Sequence, residues 1–318
     1  MSVRDFESTP GQLYCRRFDP LMIRMRKAFV RWPVAVCVIR FHKPSVWFAS
    51  VKTNAPARHD SELQSMFANH PLVSIIVPVL NEGRLIGDFL RHLRSVAPTA
   101  EIIVVDGGSC DETTSIAQSL ADLIITAPRG RAVQMNAGAA VARGEVFWFL
   151  HADLQVPGNC LSEIGRTLAD SRAVGGCFSL RFPQRQLIYR VSDSLGNLGV
   201  EVFGFALGDH GIFCRRAAFE CLGGYPEVPI LEDAELYRAL HRRGRMTQLR
   251  ERVLCSPRGY EVHGPYRTTA VYFIILAFYV LGVPIAALNR IYRWLHRETM
   301  AVDHIDSNTP APFCGATR

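Results

Sequence analysis

The sequence predicts an α/β fold, with a mostly parallel sheet flanked by helices over residues 71–265 and a pair of apolar and amphipathic helices over 266–300. Two observations carry this. Short β-branched and aromatic runs alternate with amphipathic stretches at the spacing of βαβ units, whose right-handed crossovers demand parallel pairing. Three strand ends carry Asn81-Glu82, Asp106 and Asp153, which places their carboxylates along one carboxyl edge, where open α/β sheets bind ligands.

Taken in order, Val73-Ser74-Ile75-Ile76-Val77 is the first strand. Pro78 is expected to end its regular pairing, and Asn81 to cap a helix with Leu85, Ile86, Phe89, Leu90 and Leu93 on its apolar face. Ile102 to Val105 is the second strand, ending at Asp106-Gly107-Gly108, and Ser109 with Glu112 has capping-box spacing for the next helix. Leu123 to Thr126 is the third, and Ala132 to Ala142 is a small-residue helix able to pack closely on a sheet. Val146 to Leu150 is the fourth strand; five consecutive apolar residues suit burial on both faces, and His151-Ala152-Asp153 follows where the strand ends.

Beyond it, Asn159 to Asp170 reads as a helix, and Phe178, Leu180 and Phe182 alternate as in a strand. Gly204 to Gly211 is a glycine-rich loop suited to close approach to a ligand, and Gly223-Gly224-Tyr225-Pro226 is a turn. Leu231-Glu232-Asp233 opens a helix to about Arg243, with both acids at its N-terminus, where the dipole favours them. Two short strands are expected at 246–249 and 253–255.

Charge narrows the function classes. Of the net +7, residues 1–70 supply 11 Lys and Arg against 5 Asp and Glu, and the remaining 248 residues hold 25 against 24. The main domain is nearly neutral, which argues against nucleic acid as partner. The basic arm has three readings: a poorly ordered extension, which its composition favours, a membrane-surface segment, or translated sequence upstream of the true start. The nine cysteines form no CxxC pair and no zinc spacing, and read as thiols of a reducing compartment. The expected location is therefore the cytoplasm, with the cytoplasmic face of a membrane as a docking place.

Several ordered motifs lie between residues 72 and 265: Ile76-Val77-Pro78-Val79-Leu80-Asn81-Glu82, Val104-Val105-Asp106-Gly107-Gly108-Ser109-Cys110-Asp111, Leu150-His151-Ala152-Asp153, Gly208-Asp209-His210-Gly211, and Gly223-Gly224-Tyr225-Pro226 followed by Glu232-Asp233. Together and in this order they resemble the inverting family 2 glycosyltransferases of GT-A fold. Gly130-Arg131-Ala132-Val133-Gln134-Met135-Asn136-Ala137-Gly138 and the Leu-His-Ala-Asp form resemble the subgroup named radical-SAM/selenodomain-associated transferase 2.

The resemblance implies a nucleotide-sugar site at Pro78, Asn81, Glu82, Asp106, Gly108, Arg131, Gln134, Asn136, Ala152, Asp209 and Arg258. Glu82 and Asp106 would contact base or ribose, and Arg258 the diphosphate. It implies that Asp153 binds Mg²⁺ or Mn²⁺ between the phosphates, and that Asp233, with Glu232 beside it, takes the acceptor's proton during in-line attack. The family's metal motif is usually Asp-x-Asp; here His151 stands first, so His151 and His263 are the candidates for a second ligand. The Gln-x-x-Arg-Trp signature of processive relatives is absent, which implies transfer of a single sugar, with a UDP-sugar as the favoured donor.

Val271 to Leu288 is eighteen residues without a charge, followed by Arg290, Arg293 and Arg297. Gly282 and Pro284 interrupt it, which favours two shorter helices lying at a membrane interface or on the main domain; a true span is the second reading. An interfacial site would suit a lipid-linked acceptor. The alternative to an enzyme is a catalytically silent nucleotide-sugar binding module acting with a membrane partner.

Overall fold

The computed structural model describes residues 73–295. The expected N-terminal extension over 1–70 and the tail over 301–318 lie outside the described residues. Seven strands and ten α-helices are described: β1 (Val73–Val79), α1 (Ile86–Val96), β2 (Glu101–Asp106), α2 (Thr113–Ala117), β3 (Leu123–Thr126), α3 (Arg131–Val141), β4 (Val146–Phe149) and α4 (Cys160–Leu168). Then come β5 (Ala173–Arg181), α5 (Leu187–Phe203), β6 (Phe213–Arg215), α6 (Arg216–Leu222), α7 (Glu232–His241), β7 (Arg245–Leu254), α8 (Arg258–His263), α9 (Pro265–Val280) and α10 (Ile285–Leu295).

The strands form one sheet in the order β3-β2-β1-β4-β6-β5-β7. All pair in parallel except at β6, which runs antiparallel to both β4 and β5. The period-2 alternation of a strand explains the two cores. Ile75, Val77 and Trp148 point to one face, where they pack with Phe89, Leu90 and Leu93 of α1 and with Phe178. Ile76, Phe147 and Phe149 point to the other, against Met135 of α3, Phe219 of α6 and Leu236 of α7. Helix α3 lies so close to the sheet that a Cβ at Gly138 would come within 2.5 Å of Ile76, which is why small residues line its inner side.

Several expectations need correction. Pro78 stays inside β1, paired with Val105 of parallel β2, where the missing amide is tolerated. Asn81 caps no helix: it adopts a left-handed conformation at φ 54° and α1 begins only at Ile86. Ser109 and Glu112 make no capping box, because the Ser109 hydroxyl is spent on Asp106. The two strands expected at 246–249 and 253–255 are one strand, β7, whose register slips where Cys177 and Ser179 face Gln248 and Arg252. That slip coincides with the polar Arg250-Glu251-Arg252 that broke the apolar pattern. The C-terminal pair is present as α9 and α10, but α9 starts at Pro265, with proline in the first turn where its missing N–H costs nothing. Among the described residues no helix is long and apolar enough to cross a membrane, so the spanning reading falls.

One buried charge helps hold the sheet. Glu101 is 3% exposed at the start of β2. Its Oε2 accepts from the Ser74 hydroxyl at 2.5 Å and the Arg143 amide at 2.8 Å, and its Oε1 from Arg143 Nε at 2.7 Å. Burial works against the carboxylate, yet the Arg143 amide, the Ser74 hydroxyl and the Arg143 guanidinium hold its pKa below the usual value. A lowered folded pKa means stability present above the unfolded value and lost as pH falls through the folded one. Glu101→Gln is expected to cost about 2 kcal/mol at neutral pH, because it leaves buried donors unpaired, and less in acid. Urea unfolding at several pH values checks this; equal midpoints at neutral pH would contradict it.

Candidate active site

The carboxyl ends of β1, β2 and β4 open onto one edge, and two loops there are stitched together. The Asn81 amide donates to Ser109 Oγ at 2.9 Å, and the Cys110 amide donates to Asn81 Oδ1 at 2.9 Å. Asp106 is buried and folds back on its own loop, accepting from the Gly108 and Ser109 amides at 3.0 Å each and from Ser109 Oγ. Gly108 sits at φ 90°, a conformation that favours glycine. Glu82 accepts both arms of Arg258 at 2.8 Å each, and the same guanidinium lies 3.9 Å from Asp153. Arg258 therefore bridges two of the strand-end carboxylates.

Deeper in, Ala152 is buried beneath His151 and Asp153. His151 Nδ1 lies 3.6 Å from Asp209 Oδ1 on the glycine-rich loop, while His151 Nε2 is buried without a hydrogen-bond partner. Burial disfavours the charged imidazole, but Asp209 and Asp233 outweigh it and raise the His151 pKa. Asp153 is raised, first by burial and then by the charge of Asp209. In the turn Gly208–His210 between them, burial pushes His210 down to about 4, so it stays neutral at physiological pH.

The second acidic group comes from α7. Leu231, at φ 63°, turns the chain sharply and delivers Glu232 and Asp233 at the first helical positions. Asp233 is buried and accepts from the Tyr225 hydroxyl at 2.9 Å. Burial and the Asp233 charge raise the Tyr225 pKa well above its ordinary value, so the phenol remains a donor. Glu232 is raised by burial and by Asp233, and lies 4.0 Å from Arg131 of α3. A Cβ at Gly208 would sit 2.4 Å from His151 Cε1 and 2.6 Å from Asp233 Oδ2. Glycine lets the loop run between the β4 end and α7.

Two expected pocket residues are engaged in scaffolding. Gln134 donates to the carbonyls of Val79 and Val105 at 3.0 and 2.8 Å, tying the ends of β1 and β2 together. Asn136 exchanges two hydrogen bonds with the Tyr225 backbone, at 2.8 and 3.0 Å, and so orients the ring that holds Asp233. Sequence reasoning gave Tyr225 no part in the site, and Gly208 one only within a loop suited to close approach to a ligand. The glycine-tyrosine-proline turn beside an acid pair was the available signal for Tyr225.

Among the described residues no three His, Cys, Asp or Glu side chains form a metal-holding group, and His263, which ends α8, joins none. The donor set nonetheless fits a divalent cation in kind. Asp153 and Asp209 repel one another, and the orphaned His151 Nε2 is a borderline ligand beside hard carboxylate oxygens.

Residues 74–220 match the family model described as Glycosyl transferase family 2. The chain is 31% identical over 181 residues to the undecaprenyl-phosphate 4-deoxy-4-formamido-L-arabinose transferase of Pseudomonas paraeruginosa, covering 50% of this chain and 53% of that one. It is 32% identical over 186 residues to the protein of that name from Pseudomonas fluorescens, covering 51% and 53%. The chain thus spans about half the length of these curated relatives. Among solved structures it resembles the mannosyltransferase PcManGT from Pyrobaculum calidifontis in complex with GDP-Man and Mn²⁺, at TM-score 0.52 and 20% identity over 76% of this chain and 78% of that one. It also resembles glucosyl-3-phosphoglycerate synthase from Mycobacterium tuberculosis with Mn²⁺ and UDP-glucose, at TM-score 0.51 and 18% identity over 73% and 86%. Motif order, sheet topology and family match agree: the fold is that of GT-A glycosyltransferases, and residues 74–220 are similar to the Glycosyl transferase family 2 model.

Proposed function

We propose that the domain over 71–265 moves a single sugar from a nucleoside-diphosphate sugar to an acceptor hydroxyl with inversion, as a hexosyltransferase. The observation that carries this is Asp233, buried, oriented by the Tyr225 hydroxyl, and adjacent to the loop that crosses His151. In the step, the bond from the anomeric carbon to the diphosphate breaks and its electron pair leaves with the nucleoside diphosphate. The acceptor oxygen bonds that carbon from the opposite face, and its proton passes to Asp233. Glu232 sits beside it in the same buried helix start, and Arg131 counters the local negative charge.

On the donor side, Arg258 is a planar guanidinium already held between Glu82 and Asp153, the arrangement that suits a diphosphate. Asp153, with His151 and Asp209, would hold Mg²⁺ or Mn²⁺, which supplies charge neutralisation for the leaving diphosphate when bound. The Mn²⁺ in the names of the two solved relatives supports that reading, as their GDP-Man and UDP-glucose support a nucleotide-sugar donor, UDP-linked or GDP-linked. The Gly130–Gly138 segment and the Leu-His-Ala-Asp form resemble the radical-SAM/selenodomain-associated transferase 2 subgroup, a name that identifies no substrate. Nothing in the geometry favours a silent binding module, since the Asp233–Tyr225 pair is complete.

Stereochemistry tests the single displacement. Slow transfer to water from an α-linked nucleotide sugar is expected to release the β anomer, read by proton NMR before mutarotation. Release of the α anomer would contradict the proposal.

A further inference from the structure

One cavity of about 1160 Å³ adjoins this site, above the range of about 300–1,000 Å³ of ordinary small-molecule pockets. Its inner end is formed by His151, Asp209, Glu232, Asp233 and Arg131. Pro78, Glu82, Asp106 and Arg258 are not among its walls, so it leads away from the donor edge. From the acid pair it runs outward between α5, α9 and α10, past Leu198, Phe203, Phe273, Leu276, Val280 and Tyr292. Ser192 of α5 and Thr269 of α9 share a buried hydrogen bond of 2.8 Å that joins two of its walls. Polar groups are concentrated where chemistry would occur, and the outer walls are aliphatic and aromatic. Phe273 and Leu198 remain 55% and 44% exposed, so the outer wall is not closed by packing.

The inner end also selects by charge. Apart from His151 and Asp209, assigned above to the cation, two carboxylates, of Glu232 and Asp233, stand there against one guanidinium, of Arg131. An anionic acceptor would be repelled, and a phosphate oxygen, already ionised, would need no base. A neutral hydroxyl needs one, and Asp233 is held in place to serve.

We infer that the acceptor is a neutral alcohol with a long apolar tail, its hydroxyl at Asp233 and its tail lying in the groove between α5, α9 and α10. This rests on the proposed role of Asp233 and deepens it, and it differs from the lipid phosphate in the names of the Pseudomonas relatives. The transfer is balanced as above: the alcohol oxygen gains the sugar, Asp233 gains the proton, and the nucleoside diphosphate leaves.

The test uses the full chain and dansyl-labelled undecanol, whose fluorescence reports occupancy, with unlabelled octanol, decanol, dodecanol and dodecyl phosphate as competitors. Affinity is expected to rise with chain length by up to about fourfold per methylene, the limit for full burial. Dodecyl phosphate is expected to compete about tenfold or more weakly than dodecanol, as like charges require. Phe273→Asp and Leu198→Asp, both at exposed positions outside the buried core, should each weaken dodecanol by about tenfold or more. Phosphate competing as well as the alcohol would overturn the neutral acceptor. No displaceable alcohol, or binding untouched by both variants, would overturn the groove. A nucleotide-induced rise in melting temperature, measured on the same samples, reads the donor site separately: kept while alcohol binding fails, it sinks only this inference, and lost while alcohol binding persists, it sinks only the donor reading.

Discussion

Asp233→Asn is expected to lower kcat/KM for nucleotide-sugar turnover by about 10²–10⁴-fold, the contribution of a positioned general base. The substitution is nearly isosteric and keeps an oxygen to accept from the Tyr225 hydroxyl, now 2.9 Å away. Folding and donor binding should therefore persist while proton removal is lost. Nucleoside diphosphate release under saturating donor gives the rate, and nucleotide-dependent melting gives the binding. A variant retaining wild-type turnover would assign the base to another group, with Glu232 the first to examine, because it stands beside Asp233 at the same helix start and burial and Asp233 raise its pKa.

The second large effect is expected at Gly208, which carries no functional group. An alanine Cβ there would lie 2.4 Å from His151 Cε1, 2.6 Å from His151 Nε2 and 2.6 Å from Asp233 Oδ2. All three contacts are shorter than real Cβ atoms tolerate, and they fall on groups from two different elements. Either the loop retreats or His151 and Asp233 separate. Displacement of reacting groups by about 1 Å costs on the order of 10²-fold in rate, so Gly208→Ala should fold and turn over about 10²-fold more slowly. Circular dichroism and a melting curve establish the fold, and nucleoside diphosphate release establishes the rate. Wild-type kcat/KM in a folded Gly208→Ala protein would show that the loop does not position the site.

Much of the scaffold was legible because it rests on short-range chemistry. The runs at Val73, Ile102 and Val146 are β-branched or aromatic, are bounded by polar residues, and became β1, β2 and β4. The convergence of Glu82, Asp106 and Asp153 on one edge followed from parallel pairing alone. Helix α5 was missed because Gly196 and Gly199 interrupt its pattern; they are there to admit Leu180 and Phe205, each within about 3 Å of where a Cβ would be. Strand β6 has three residues and derives its pairing from β4 and β5.

The contents of the site were less legible than its location. Arg258 meets Glu82 across 176 residues, and no local pattern encodes such a pair. Asn136 and Gln134 lie in a motif whose resemblance implies ligand contact, yet their amides fasten the Tyr225 turn and the strand ends. Polar side chains one layer behind a site look the same in sequence as those facing it, since only the backbone partners distinguish them.

The central claim is a donor site at the carboxyl edge with Asp153 at its metal end. It is tested most directly by melting the protein with UDP, GDP, TDP, ADP and CMP, with and without Mn²⁺, as wild type and as Asp153→Asn. A ligand that binds only the folded state raises its stability by mass action, about 2.7 kcal/mol at a hundredfold excess over Kd. The account predicts a Mn²⁺-dependent rise for one nucleoside diphosphate in the wild type and its loss in Asp153→Asn. Folded wild-type protein that responds to no nucleotide, with or without Mn²⁺, would contradict it.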